Sequence, residues 1–189
     1  MNNAFQDFKT RIFACITKER SIIYKDKLTP AAVLVSFVPR DNDPSLILTL
    51  RTMNVARHKG QVSLPGGVKE PQDQGMIATA LREAEEEISL DPTMIEIAGV
   101  LDDQETTSGF LITPVVGFIS REATFKPNPQ EVAEIFEAPF SQLTDPANYQ
   151  LKRGIHRGVP YTDHRYNVAN HTIWGATGRI IHDMLKMLK

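Results

Sequence analysis

The sequence has a single cysteine, Cys15, so no disulfide can close within the chain; the expected compartment is reducing, the cytoplasm. It has little excess of either charge. The 21 Lys and Arg stand against 23 Asp and Glu, a formal net charge of −2, which argues against binding to nucleic acid or to an anionic membrane surface. Its longest apolar stretch, residues 31–38, is far too short to span a bilayer, and no basic segment followed by an apolar run opens the chain. Neither a membrane span nor a signal peptide is expected. There is no internal repeat, no low-complexity tract and no linker rich in Gly, Ser or Pro, so no domain boundary is drawn within residues 1–189. What remains, 189 residues with 41% hydrophobic and 23% charged side chains, is the composition of one soluble globular domain with its own core.

Hydrophobic spacing gives the order of elements. Phe5, Phe8, Ile12, Phe13 and Ile16 recur at helical intervals, predicting an amphipathic helix within an N-terminal extension over residues 1–28. That helix would pack on the domain or on a second subunit of a homodimer. Residues 31–39 and 46–51 read as strands around the turn Asp41-Asn42-Asp43-Pro44, and residues 61–64 as a short third strand. A helix follows over residues 76–89, stopped by Asp91-Pro92, and then strands over residues 95–101, 112–119 and 132–137. Residues 102–110 form a polar loop, residues 126–129 a Pro-containing one. Residues 171–189 carry Ile173, Ala176, Ile180, Ile181, Met184, Leu185 and Leu188 at the spacing of a long closing helix, with Trp174 in the core. Strands first, with helices in the middle and at the end, suggest a mixed sheet covered on both faces.

The stretch that organises the chain is residues 64–90, which joins the turn Leu64-Pro65-Gly66-Gly67 to a helix dense in carboxylate. Ile77, Leu81, Ala84 and Ile88 give its buried stripe. Glu83, Glu86 and Glu87 fall on the opposite side, where residues three and four apart are surface neighbours. Like charges so placed repel by about 0.2–0.5 kcal/mol per pair, and acidic groups in the last turns oppose the helix dipole by about 0.3–1 kcal/mol each. Taken alone, such a cluster is a solvated acidic face. The adjoining Arg82, the Gly-Gly turn and the stiffening Pro65 point instead to a site for a hard divalent cation, Mg²⁺ or Mn²⁺, which takes carboxylate, carbonyl and water oxygens.

This segment resembles the Nudix box, the signature of metal-dependent hydrolases that cleave a nucleoside diphosphate linked to another moiety. Arg82, Glu83, Ala84, Glu86, Glu87 and Leu90 match the second half of its pattern. The first half departs from it: after five intervening residues Gly67 is followed by Asp73 rather than Glu, eight residues rather than seven separate it from Arg82, and Ser89 replaces the usual Gly. Upstream, residues 47–67 resemble the accessory signature of the coenzyme A pyrophosphatase branch, matched at Leu48, Thr49, Arg51, Gly60, Pro65, Gly66 and Gly67. Ala56 stands where that signature has a second Arg, with Arg57 beside it, and Leu64 stands for Phe. Thr106, Thr107, Ser108, Gly109 and the run Trp174-Gly175-Ala176-Thr177 resemble further segments of the same branch.

The resemblance implies an αβα sandwich and roles for particular residues. Glu83 and Glu87 would be the main metal ligands, Glu86 a further ligand or the base that deprotonates the attacking water, and the Gly67 carbonyl a supporting ligand. Arg82 would orient the carboxylates. Glu131 and Glu134 are alternative bases. Arg51, Arg57, His58 and Lys59 are candidates for the substrate phosphates; His58 in isolation would be part of a solvated basic turn. His156, His164, His171 and His182 have no mutual spacing that suggests a metal site. The substrate would be a small nucleotide, coenzyme A or a thioester of it, split into adenosine 3′,5′-bisphosphate and (acyl-)4′-phosphopantetheine. The gap at Ala56 leaves NADH or ADP-ribose as alternatives. A non-catalytic nucleotide-binding module is the alternative outside the enzyme class.

Overall fold

The apolar stretch after residue 30 becomes the central strand, buried on both faces. A computed structural model describes residues 3–16, 23, 27–40, 43–54, 58–156 and 158–188 of the chain, without the side chains of Asn3, His156 and Val159. Residues 41–42 of the expected first turn, most of residues 17–26, and Ala56 and Arg57 lie outside the described residues. Strand β1 (Thr29–Val38) runs parallel to β7 (Phe110–Ile119), in register from Thr29 opposite Phe110 to Phe37 opposite Phe118. Its other neighbours are antiparallel, which makes the sheet mixed.

On the side of β1 away from β7, two strands share the edge. β2 (Ser45–Arg51) pairs with β1 only at Phe37–Leu46 and Val38–Ser45, while β4 (Gly66–Val68) pairs with the other end, at residues 31–33. The two strands therefore part around β1, and a fork opens between Arg51 and Gly66. β8 (Val132–Pro139) pairs along the outer edge of β2, while β3 (Val62–Ser63) pairs with Thr49 and Leu50 on the same edge as β1. On the far side, β5 (Ile95–Val100) and the two-residue β6 (Gln104–Glu105) pair with β7. β6 lies inside what the sequence presents as a polar loop.

Alternation along β1 divides the core into two layers. Val35 and Phe37 point to a face shared with Leu46, Leu48, Val116 and Phe118, covered by α1 (Asn3–Ile16) through Phe8 and Ile12 and by α4 (Gly175–Met187) through Ile180, Ile181, Met184 and Leu185. Ala32, Leu34 and Val38 point to the other face, covered by α2 (Met76–Ile88) through Ala80, Ala84 and Ile88. The result is the expected sandwich, α on β on α. The α1 helix spends its apolar face on its own domain: the Phe8 ring meets Phe37 at 4.9 Å and Phe140 at 4.8 Å, both edge-on. Among the described residues no helix is long and apolar enough to cross a membrane.

Several sequence expectations give way to the tertiary structure. Ile77 is exposed and Leu81 only half-buried, so the buried stripe of α2 runs through Thr79, Ala80, Ala84, Glu87 and Ile88. The helix packs on β1 and β4 through the small residues Ala80 and Ala84, with Ile88 filling the core at its end. The bounds of α2 agree with the expected 76–89; its last turn closes at Ser89 in the left-handed region (φ 55°). Residues 171–173 are not helical: His171–Ile173 is strand β11, paired with β10 (Val159–Val168), which pairs in turn with β9 (Tyr149–His156). That three-stranded sheet, and the short helix α3 (Phe140–Thr144), had no clear periodic signal. Trp174 precedes α4 and is exposed rather than in the core, with the Arg165 guanidinium 5.6 Å from its ring.

Candidate functional site

Helix α2 starts after Gly75 (φ 146°) with no side-chain cap of its own. Asp73 supplies the anchor instead. Its carboxylate accepts from the Glu70 N–H and the Thr79 hydroxyl, each at 2.9 Å, and from Arg82 at 3.1 Å (Nε) and 3.2 Å (Nη2). The Arg82 bonds first, then the Glu70 N–H, hold this carboxyl down to about 2. The same guanidinium donates to the Val68 carbonyl at 3.0 Å, to Glu83 at 2.9 Å and to Glu86 at 3.0 Å. Asp73 thus fixes the cation that spans β4 and two of the box glutamates, and it raises the Arg82 pKa further above its ordinary range.

Glu83 and Glu87 share the face of α2 that looks into the fork. Glu83 lies flat against Gly67, where any Cβ would overlap its carboxylate. Glu87 is 1% exposed, and its two oxygens bridge the parting strands: Oε2 accepts from the Gly66 N–H at 3.2 Å and Oε1 from Arg51 Nη1 at 3.0 Å. Burial pushes the Glu87 carboxyl up to about 7, opposed by Arg51 and the Gly66 N–H and reinforced by the charges of Glu83 and Glu131. Glu83 is pushed up too, first by burial, against the pull of Arg82.

Glu131 joins these two from a loop tied to the end of α2. The Lys126 and Asn128 N–H groups cap the Ile88 and Glu87 carbonyls, each at 2.9 Å, and the Glu131 carbonyl accepts from the Thr52 N–H at 2.8 Å. Free helix-end carbonyls need such partners, and satisfying them delivers Glu131 to the site. Its carboxylate stands 3.7 Å from Arg51 Nη2 and its charge acts on both Glu83 and Glu87.

The donors gathered here are all oxygen, the set that suits a hard divalent cation. Burial and mutual repulsion both disfavour three ionised carboxylates in one place, so a cation would relieve the site. Among the described residues no three acidic or imidazole side chains close on one point as a metal cage; the carboxylates are turned toward Arg51 and Arg82.

The other candidates are placed differently. Glu86 is on the exposed side of α2 and pairs with Arg82 at 3.0 Å. Glu134 lies on the opposite face of the sheet: Phe136, two residues on, belongs to the α1–α4 layer, and Glu134 pairs with His171 at 3.4 Å. His58 and Lys59 sit on an exposed turn before β3, with His58 Nδ1 bonded to Gln61 at 2.9 Å. Arg51, expected at the substrate phosphates, is the partner of Glu87 and Glu131. The residue that the sequence reading passed over is Asp73, visible there only as a departure from the family pattern.

Residues 28–158 match the NUDIX domain family model. The chain is 38% identical over 159 residues to an uncharacterized Nudix hydrolase, NudL, of Photorhabdus laumondii, covering 84% of each chain. It is 35% identical over 186 residues to the NudL of Pectobacterium atrosepticum, covering 96% of this chain and 93% of that one. Among solved structures, the Nudix hydrolase RenU of M. smegmatis superposes with a TM-score of 0.52 at 20% identity, over 69% of this chain and 78% of that one, a likeness of fold. With the matched model covering α2 and every residue of the fork, the chain belongs to the Nudix hydrolase family.

Proposed function

We propose that this Nudix hydrolase cleaves the pyrophosphate bond of coenzyme A or its thioesters, releasing adenosine 3′,5′-bisphosphate and (acyl-)4′-phosphopantetheine. The observation that carries this reading is the bond from Arg51 to Glu87. Arg51 belongs to the accessory signature of residues 47–67 and Glu87 to the box helix, and the fork makes them parts of one site. The accessory signature is therefore in a position to select the substrate.

Glu83 and Glu87 would hold Mg²⁺ or Mn²⁺, with Glu86 or the Gly67 carbonyl as further donors. Such an ion, when bound, neutralises phosphate charge and lets water ionise more readily. Glu131 is the stronger base candidate of the two on the 131–134 segment, because its charge bears on both Glu83 and Glu87 whereas Glu134 faces the other layer. Glu86 is the alternative base, exposed on the helix and held by Arg82. Arg82, pinned by Asp73, keeps the carboxylates in place. Arg51 beside Glu87, His58 and Lys59 on their exposed turn, and Arg57 are the candidates for the substrate phosphates. The single cysteine is consistent with the cytoplasm.

The test is a product assay with Mg²⁺ or Mn²⁺ on coenzyme A, acetyl-coenzyme A, NADH, ADP-ribose and a nucleoside triphosphate, beside Glu87→Gln. Adenosine 3′,5′-bisphosphate from the coenzyme A compounds alone, lost in Glu87→Gln, is the expected result. Faster turnover of NADH or ADP-ribose would keep the metal site and overturn the branch. No turnover of any substrate would leave a nucleotide-binding module.

A further inference from the structure

We infer that Arg51 is an exchangeable counter-ion, which holds Glu87 in place of a divalent cation and gives that carboxylate up when the cation enters. The inference rests on the metal-hydrolase reading above and adds to it a cost of loading and a second destination for the guanidinium.

Glu87 is buried, with its side chain 2% exposed, and one of its oxygens is committed to the Gly66 N–H. The other faces Arg51 Nη1 at 3.0 Å, and Nη2 of the same group stands 3.7 Å from Glu131. Arg51 therefore sits between the two carboxylates whose charges meet across the fork. A buried ionised carboxylate without a cation beside it is strongly unfavourable. A divalent cation shared by Glu83 and Glu87 would enter the same space, at a distance where two positive charges repel strongly. Both cannot occupy it.

Two features make Arg51 the partner that yields. It is the last residue of β2, past the irregularity in the β2–β8 register between Leu50 and Arg51, and its side chain is 20% exposed, so the guanidinium has an open side. Glu87, by contrast, is fixed from the helix and from Gly66. Once displaced, the planar donor fork of Arg51 suits a phosphate as well as a carboxylate, and the dense anion brought by the substrate is the group that replaces Glu87 as its partner. Loading of the cation would thus free the cationic group that the substrate needs. Arg82 does not share this freedom, because Asp73 binds it through two nitrogens.

The experiment titrates Mg²⁺ in the absence of substrate, at pH 8.5, into the wild type, Arg51→Gln, Arg51→Lys and Glu87→Gln, by calorimetry and by the shift in Tm on adding Mg²⁺. Arg51→Gln is expected to bind Mg²⁺ about tenfold more tightly than the wild type, to melt lower without Mg²⁺, and to gain more in Tm on its addition. Arg51→Lys should fall between, and KM for the substrate should rise in Arg51→Gln. Unchanged or weaker Mg²⁺ binding by Arg51→Gln, with the wild type binding and Glu87→Gln not, overturns the inference and leaves the metal site standing. A wild type that binds no Mg²⁺ and turns over no substrate overturns both.

Discussion

Arg82 and Asp73 form a two-point ion pair, Nε to Oδ1 at 3.1 Å and Nη2 to Oδ2 at 3.2 Å, across the entry to the box helix. Arg82 reaches Glu83, Glu86 and the Val68 carbonyl from this anchor, so Asp73 positions carboxylates it does not touch. Asp73→Asn is expected to lower kcat/KM about tenfold or more, the usual effect of losing a group that orients a metal ligand, while circular dichroism stays native. Unaltered kcat/KM would show that Glu83 and Glu86 need no such support.

The same pair sets an acid limit. The Asp73 carboxyl is held at about 2 against an ordinary 3.8, so its ionised form stabilises the fold at every pH above the ordinary value. That contribution is lost as pH falls from 3.8 through about 2. Stability curves for the wild type and Asp73→Asn should lie apart at neutral pH and converge toward pH 2.

A second pH dependence lies far from the fork. His164 stacks on His182 with ring centres 3.7 Å apart and bonds through Nδ1 to the Tyr149 hydroxyl at 2.8 Å, joining β10 to α4 and β9. Burial first, then the neighbouring His182, lowers its pKa below 6.5, against Asp183 and Asp163. The unfolded chain then takes up the proton first, so stability should be full above pH 6.5 and fall as pH drops below it. Tm measured from pH 7.5 to 5 should decline less steeply in His164→Phe.

The two glycines of the turn fail differently. At Gly66 (φ 156°) a Cβ would overlap the Ala32 carbonyl of the central strand, so Gly66→Ala should destabilise the fold by about 2 kcal/mol or more. At Gly67 the obstacle is the Glu83 carboxylate. Gly67→Ala should fold, and lose about 100-fold in kcat/KM by displacing that side chain. Denaturant melts and steady-state kinetics separate the two.

Ser89 ends α2 at φ 55°, a conformation that costs an L residue about 1 kcal/mol or more and glycine little. Ser89→Gly should raise Tm by about 2 °C. An unchanged or lower Tm would mean that the Ser89 backbone is not strained.

Phe8 tests the attachment of α1. Its ring is buried among Phe37, Phe118 and Phe140, and Phe8→Ala should cost about 3–5 kcal/mol in a denaturant titration. A loss under about 1 kcal/mol would show that α1 is not part of the core.

By itself the sequence determined the elements whose residues repeat with one period. Residues 31–38 are apolar but for Ser36 because the central strand is buried on both faces, and Phe8, Ile12, Ile180 and Ile181 mark faces of helices that cover it. It also carried the box carboxylates and Arg82 as neighbours on α2, since three- and four-residue spacing on a helix is geometry. Tertiary structure decided the rest. Ile77 is exposed although it fits the apolar stripe, because contact with β1 and β4 selects the small residues Ala80 and Ala84 instead. The β9–β10 hairpin was hidden because its residues, from Tyr149 through Lys152, Arg153 and Asp163, alternate weakly. Glu131 and Glu134 are three positions apart and look equivalent in the chain, yet the loop capped on α2 brings the first to the fork and the pleat of β8 sends the second to the other layer. Arg51 and Glu87 are 36 residues apart, and only the parting of β2 from β4 sets them together. Spacing along the chain fixes what is local; which side chains meet across a sheet depends on strand pairing, and pairing is set by the whole core.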